Sequence, residues 1–489
     1  MINREPLLEE LVGAQNPWWT HPGARPNLPR RIAPRRGLEE VLATLDGKEI
    51  TTLLGPRQVG KTTILGEAVS HLLDAGTDPG RILYVNFDSL AAAVPDERAI
   101  TALMEIFRRM VLRRSWTDVV RGEEKIFVFL DEVQAAADWS RTLKGWYDLG
   151  LPVKFVVSGS SSADILKGAS ESLAGRIAPH LILPLSFREF AGYHGPRAFD
   201  EWSARAATLA SALGRGVTAD AWIKTFEKSV KTLPGGGADF EALFGEYIVQ
   251  GGYPGVLSAV HRQAALSTLR AIGDITIYKD LVRFYQIRNP KGLDRLVAIL
   301  AHESASIVSR DSISRDLGIN VRTVADYLDY LESAWMFRRS PMYTGSPRVS
   351  SKHLTKIHAV DPGLANAYKE LGPGGTPSEK ATQSLVESTV FSHMLRMQVG
   401  TGRILGEGPW YWRDGPKGLE VDVVGRMGGR AVPVEVKHAR NLDERDFKGL
   451  RAFLEAHKDA GPTVMASRET FDVRGRVAVM PAWFFTLMA

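Results

Sequence analysis

The run Gly55-Pro56-Arg57-Gln58-Val59-Gly60-Lys61-Thr62-Thr63 constrains the fold more than any other stretch, because it fits G-x-x-x-x-G-K-[ST] in the right local setting. Before it, Ile50-Thr51-Thr52-Leu53-Leu54 is a β-branched and apolar run that predicts a buried strand. After it, Ile64, Leu65, Ala68, Val69 and Leu72 recur at helical spacing. The residue types follow from phosphate chemistry. Gly55 and Gly60 let the backbone turn its N–H groups towards an anion, and the helix starting near Lys61 adds its positive dipole end. On this reading Pro56, Arg57, Gln58, Val59 and Thr63 complete the wrap around a nucleotide. Lys61 reaches the β- and γ-phosphates and the Thr62 hydroxyl holds Mg²⁺. A plain glycine turn between strand and helix would not require Lys-Thr at its end.

A chain of 489 residues has room for roughly two to four domains. It has no cysteine, which excludes disulfides, thiolate zinc sites and a cysteine nucleophile, and fits a reducing cytoplasm. The start, Met1-Ile2-Asn3-Arg4-Glu5-Pro6, has no apolar signal core, and no apolar run approaches a membrane span. The expectation is a soluble cytoplasmic protein without a membrane partner. A net charge of +5 and a pI near 9.2 are compatible with a polyanionic partner such as nucleic acid. Part of that excess lies in Arg25, Arg30, Arg31, Arg35 and Arg36, in a proline-broken arm over residues 1–36. Such an arm serves either as a phosphate contact or as a lead-in to the first domain.

Downstream, Arg81-Ile82-Leu83-Tyr84-Val85-Asn86-Phe87 predicts a second strand. Lys125-Ile126-Phe127-Val128-Phe129-Leu130-Asp131-Glu132 then gives an almost wholly apolar strand that ends in two acids, the Walker B pattern. Asp131 would bind Mg²⁺, directly or through water, and Glu132 would polarise the attacking water. A fourth strand, Val153-Lys154-Phe155-Val156-Val157, runs into Ser158-Gly159-Ser160-Ser161-Ser162. Ser158 or Ser160 is placed there to sense the γ-phosphate. Arg176, in Ser172-Leu173-Ala174-Gly175-Arg176, is the candidate for charge stabilisation of phosphoryl transfer, in cis or to a neighbouring subunit; a surface ion pair is its other reading.

Together GPRQVGKTT, FLDEVQ, SGSSS and SLAGR followed by PLSFREF resemble a family of bacterial and archaeal AAA-type ATP-binding proteins with a second, carboxyl-terminal module. Tyr247-Ile248-Val249-Gln250-Gly251-Gly252-Tyr253-Pro254-Gly255 is similar to that family's linker, and the resemblance runs from about Arg36 to the end of the chain. It implies an ATPase with ATP and Mg²⁺ as cofactors.

Residues 192–288 read as helices broken by glycine, a lid or connector. From Leu293 a helix, a second over Ser312–Gly318 and a third from Val321 to Ala334 have the helix-turn-helix spacing. Strands at Trp335-Met336-Phe337 and Ile357-His358-Ala359-Val360 would add a wing, with Arg338, Arg339, Arg348, Lys352 and Lys356 beside them. Arg322, Thr323 and Asp326 would open a recognition helix for DNA, although Asp326 repels phosphate; packing against the ATPase or binding protein is the other role of such a module.

Past Gly372-Pro373-Gly374-Gly375-Thr376-Pro377, a helix carries Glu387 near its start. One strand then carries Asp422 beside Glu420, and the next carries Glu435 and Lys437. This order resembles the PD-(D/E)xK nuclease superfamily. Alternation along a strand puts Glu435 and Lys437 on one face. The resemblance implies Asp422 and Glu435 as Mg²⁺ ligands, Glu387 assisting, and Lys437 as a catalytic residue that orients water or stabilises the pentavalent phosphate. Carboxylates about 4 Å apart repel by roughly 4 kcal/mol at an effective dielectric of 20, so converging acids call for a cation.

The expected architecture is therefore α/β multidomain. An arm (1–36) precedes an AAA-type ATPase core (37–191), a helical connector (192–288), a winged helix (289–371), a linker (372–380) and a nuclease-like α/β domain (381–489). The expected function is an ATPase acting on nucleic acid, as a monomer or a homo-oligomer. The alternative is an ATP-gated switch that binds a partner and cuts nothing.

Overall fold

The structure, a computed structural model, describes residues 5–27, 35–90, 99–122, 124–159, 173–344, 355–369, 377–399, 408–415 and 418–489. It divides into two compact units, Met1–Leu183 and Pro184–Ala489.

The first unit is built on strands β1 (Ile50–Leu54), β2 (Ile82–Asn86), β3 (Ile126–Asp131), β4 (Val153–Ser158) and β5 (Ile177–Leu181), in the order β2-β3-β4-β1-β5. Every pair is parallel. Parallel sheets are covered on both faces, which is why β1 and β3 are rich in apolar residues and buried at every position. The helix Lys61–Asp74 follows β1 and buries Ile64, Leu65, Ala68, Val69 and Leu72, the residues whose spacing predicted it. β5 has no strand signal of its own, and as an edge strand it tolerates Pro179.

β2 is the other edge, and its outward backbone groups are covered by side chains. Gln15 Oε1 accepts from Asn86 N–H at 2.7 Å. Asn16 Oδ1 accepts from Tyr84 N–H at 2.7 Å while its Nδ2 donates to Tyr84 O at 2.8 Å, as a neighbouring strand would. The indoles of Trp18 and Trp19 both donate to Ile82 O. Four nearly consecutive side chains thus cap an edge that would otherwise be open to pairing.

In the second unit, helices Phe199–Gly214, Ala219–Val230, Gly237–Gln250 and Arg262–Asp274 precede Pro290–His302, Arg310–Leu317 and Val321–Ser333. Strands β6 (Ser306–Val308), β7 (Phe337–Ser340) and β8 (Thr355–Ala359) form a small antiparallel sheet with β8 in the middle. The last sheet has β9 (Trp410–Asp414), β10 (Leu419–Met427), β11 (Arg430–Val436), β12 (Thr463–Ser467), β13 (Asp472–Arg474) and β14 (Val477–Pro481), in the order β13-β14-β12-β11-β10-β9.

The helix Glu379–Val399 runs through the middle of this unit. From Leu385 to Leu395 every residue is buried, as befits a helix covered on all sides. Its Met394 lies so close to Gly425 of β10 that a Cβ there would sit 2.2 Å from the sulfur. Its polar residues find partners: Ser388 bonds Ser304 at 2.8 Å, and His393 Nε2 accepts from Phe187 N–H at 2.9 Å. Among the described residues no helix is long and apolar enough to cross a membrane.

Candidate nucleotide site and a buried carboxylate cluster

At the carboxyl end of β1 the chain turns through Gly55 (φ +144°), Gln58 (φ +60°) and Gly60 (φ +96°) before the helix begins at Lys61. Gly55 admits no side chain, since a Cβ would lie 1.9 Å from Ile182 O. Lys61 is buried and donates from Nζ to Gly55 O at 2.9 Å and Pro56 O at 2.8 Å. Arg35 braces the loop from behind, donating to Val59 O at 3.0 Å and to Leu183 O at 2.8 Å. The sequence pattern gives Arg35 no such role. Of the other arginines of the arm, Arg25 pairs with Asp74 at 2.7 Å and Arg36 with Glu40 at 3.0 Å, whereas Arg30 and Arg31 lie outside the described residues.

Because β4 lies between β1 and β3, the ends of three strands meet around Asp131, which is fully buried. Its Oδ2 accepts from Thr62 Oγ1 at 2.7 Å, Asn86 Nδ2 at 3.0 Å and Tyr84 OH at 3.2 Å. Its Oδ1 accepts from Glu132 N–H at 3.1 Å and from the Ser158 hydroxyl. Burial, together with the adjacent Asp131, raises the Tyr84 phenol above its ordinary range, so Tyr84 stays a donor. Glu132 sits at φ +51° and its carboxylate accepts from the Gln134 amide. Lys61, Thr62, Asp131, Glu132 and Ser158 are therefore brought together as the sequence places them, and Ser160 lies outside the described residues. Tyr84 and Asn86 join them unforeseen. Their signal is their position at the carboxyl end of a parallel strand, where ligands bind in such sheets.

Arg176 is not brought there. It precedes β5, its carbonyl accepts from Ile50 N–H at 2.8 Å, and its guanidinium pairs with Asp148 at 2.9 Å. A strand of five residues, roughly 15 Å, separates that end of the sheet from Gly55. The in cis role is corrected on this ground, and the arrangement seen is the other reading of Arg176, an ion pair, here with Asp148.

The second polar centre lies in the carboxyl-terminal unit. Glu387 of the central helix and Glu420 and Asp422 of β10 converge, but on the ammonium of Lys356 from β8. Lys356 Nζ is 2.8 Å from Glu387 Oε1 and 3.4 Å from Asp422 Oδ1, and it also pairs with Glu420. Asp422 Oδ2 accepts from Val436 N–H at 2.9 Å. Glu435 Oε2 is buried and, among the described residues, has no hydrogen-bond partner. Burial and then the neighbouring Asp422 push Glu387 up to about 8 and Glu435 well above the usual carboxylate range. Burial pulls Lys356 down, but Glu387, Asp422 and Glu420 outweigh it and hold it well above the ordinary lysine value.

Lys437 does not reach this cluster. β11 ends at Val436, where Gln383 accepts from His438 N–H and donates to Val436 O, so the strand alternation that would align Lys437 with Glu435 stops one residue short. Lys437 is half exposed and pairs with Asp446 at 3.4 Å. Among the described residues no group of three or more His, Asp or Glu side chains is arranged to hold a metal ion. Glu387, Glu420 and Asp422 thus surround a lysine, with which Glu435, among the described residues, forms no ion pair.

Residues 47–191 match the family described as the AAA domain. The chain carries a P-loop AAA-type ATPase domain. Residues 241–374 and 383–485 match two domains of unknown function, DUF8612 and DUF4143 respectively. The chain is 23% identical to an uncharacterized protein of Haemophilus influenzae over 333 residues, 67% of this chain and 71% of that one. It is 25% identical to an uncharacterized protein of Methanocaldococcus jannaschii over 418 residues, 84% of this chain and 79% of that one. Among solved structures it is similar to the Walker-type ATPase of Pyrococcus abyssi, with a TM-score of 0.39 and 15% identity over 70% of this chain and 99% of that one.

Proposed function

We propose that the chain hydrolyses ATP with Mg²⁺ and uses that cycle as a switch whose carboxyl-terminal half docks a partner without cutting nucleic acid. The observation that carries the ATPase reading is the 2.7 Å bond between Thr62 and Asp131 at the mouth of the Gly55–Thr63 loop. Two hard oxygen donors beside a glycine loop and a buried lysine fit Mg²⁺, which takes few protein ligands and leaves the rest of its shell to phosphate and water. Bound Mg-ATP would supply the phosphoanhydride and the divalent charge. The protein's part is positional: Lys61 sets a positive charge at the loop, Ser158 and Asn86 fix Asp131, and Gln134 aims Glu132 as the group that takes a proton from water.

The three helices from Pro290 to Ser333 with the small sheet support a winged-helix reading, and Arg322 is exposed at the start of its last helix. The basic wing is largely neutralised from within, however. Arg338 pairs with Glu332 at 3.4 Å, Arg339 with Asp329 at 2.7 Å and with Glu332, and Lys356 is buried; Arg348 and Lys352 lie outside the described residues. This favours a protein partner over DNA. The strand and acid order of the terminal domain supports a nuclease-like fold, while Lys356 among its acids argues against cleavage.

Phosphate release measured with Mg-ATP tests the ATPase reading. Wild type should turn over, and Lys61→Ala and Glu132→Gln should each lose on the order of 10²-fold or more in kcat. Labelled DNA and RNA incubated with Mg²⁺ or Mn²⁺ should stay intact. Unchanged turnover in Lys61→Ala would refute the site, and cleavage lost in Asp422→Ala would refute the non-cleaving half.

A further inference from the structure

A lysine occupies the place where the order of acids calls for a metal ion. Lys356 is 3% exposed, and the strand that carries it is the middle one of the small sheet, paired to Ser306–Val308 on one side and Phe337–Ser340 on the other. Its neighbour on the same face, His358, is also buried and stacks on Phe391 of the central helix at 4.1 Å. Lys356 is thus not a surface side chain that swung inward. Its backbone is locked on both edges, and its side chain follows the inward alternation of the strand.

The acids come from three other elements. Glu387 stands on the central helix, Glu420 and Asp422 on β10, and Glu435, on β11, has its buried Oε2 unpartnered among the described residues. A compact ammonium with three donors matches three carboxylate partners around one point. A divalent ion at that point would have to displace a cation that the fold itself supplies.

We infer that Lys356 is the resident cation of this carboxylate cluster, so that the terminal domain takes up no divalent ion and the cluster instead fastens the small sheet to the central helix and the last sheet. The inference rests on the nuclease-like reading of the terminal domain and deepens its non-cleaving half.

The test uses the full chain without nucleotide, with Mn²⁺ as probe, its free signal followed by electron paramagnetic resonance and the melting temperature recorded in parallel. Wild type should bind no Mn²⁺ at this cluster, and its melting temperature should not move with Mn²⁺. Lys356→Met should gain one Mn²⁺ site at least tenfold tighter than anything in wild type, and should melt lower unless Mn²⁺ is present. Should that variant fail to fold, Lys356→Met combined with Glu387→Gln and Glu420→Gln removes the unbalanced charge. It should then fold, melt near wild type and ignore Mn²⁺.

Mn²⁺ bound by wild type and lost on Asp422→Asn would overturn the inference, as would a Lys356→Met protein that neither gains a site nor changes its melting. A triple variant that also fails to fold would overturn it too, since packing and not charge would then be the role of Lys356. None of these measurements involves ATP turnover, so their failure is separable from failure of the ATPase reading.

Discussion

Asn16 offers the sharpest perturbation of the first unit, because one short side chain replaces a missing strand. It is 1% exposed and makes three bonds: Tyr84 N–H to Oδ1 at 2.7 Å, and Nδ2 to Tyr84 O and to Val12 O at 2.8 Å each. Truncation in Asn16→Ala removes all three at about 1 kcal/mol net apiece and leaves the Tyr84 amide unpaired under cover, which adds about 1–2 kcal/mol. A loss of about 3–5 kcal/mol is a large part of the 5–15 kcal/mol that holds a typical domain together. Asn16→Asp keeps the bond from Tyr84 N–H but turns a carboxylate oxygen towards two carbonyls, so it should cost at least as much at neutral pH and recover as the pH falls.

Urea unfolding followed by tryptophan fluorescence suits the test, since Trp18 and Trp19 bond the same strand. The effect should reach the nucleotide site as well. Tyr84 and its strand neighbour Asn86 both donate to Asp131, so slack in β2 should lower kcat for ATP more than it raises KM, which the Gly55–Thr63 loop governs. An Asn16→Ala protein that unfolds within about 0.5 kcal/mol of wild type would refute the reasoning, because water would then be covering the edge equally well.

Gly55→Ala should cost about 2–6 kcal/mol and abolish nucleotide binding. The new Cβ meets Ile182 O at 1.9 Å and φ is +144°, and equilibrium unfolding with a fluorescent nucleotide titration reads both effects. His393 should make the second unit acid-labile. Burial first, and then Arg396, lowers its pKa to about 3, while Nε2 accepts from Phe187 N–H and Nδ1 therefore donates to Thr389 O at 2.7 Å. Unfolded, it titrates near 6.5, so the unfolded chain binds the extra proton between about pH 6.5 and 3. Stability from this group, on the order of 4 kcal/mol, is complete above pH 6.5 and drains as the pH falls through that window. His393→Gln should flatten that slope by up to one proton in unfolding curves taken from pH 7 to 4. Asp361, pushed up to about 6 by burial, titrates in the opposite sense and is common to both proteins, so it drops out of the comparison.

The nucleotide site was legible because its chemistry is local: a strand, six loop residues and a helix follow without a break, and an apolar strand ends in two acids. β10 and β11 of the terminal sheet were legible too, as the strands that carry Asp422 and Glu435. What was hidden depends on distance along the chain. Asn16 meets Tyr84 across 68 residues, and Lys356 meets Asp422 across 66, with no pattern at either end to announce the meeting. The helix Glu379–Val399 hid its role differently. Ser388, Thr389, Ser392 and His393 are polar, yet each is buried against a partner. β5 escaped through its proline, and β6 through having only three residues.

The two acidic centres differ in what their carboxylates meet, which residue types alone could not announce. Asp131 accepts from neutral groups only: two hydroxyls, a phenol, an amide and a backbone N–H. Such donors orient a carboxylate, and on the proposed reading they fix it in place for a divalent cation that arrives with phosphates. The terminal cluster would carry a formal charge of −3 if its four acids and one lysine were all ionised, a state that burial disfavours. Burial and then Asp422 push Glu387 up to about 8 and Glu435 well above the usual carboxylate range, which favours their protonated forms and brings the cluster nearer to balance. The lysine that faces these acids has its backbone held in β8 by pairing on both edges. On the proposed reading, the same residue types hold Asp131 ready for a cation and leave the terminal cluster with the ammonium of Lys356.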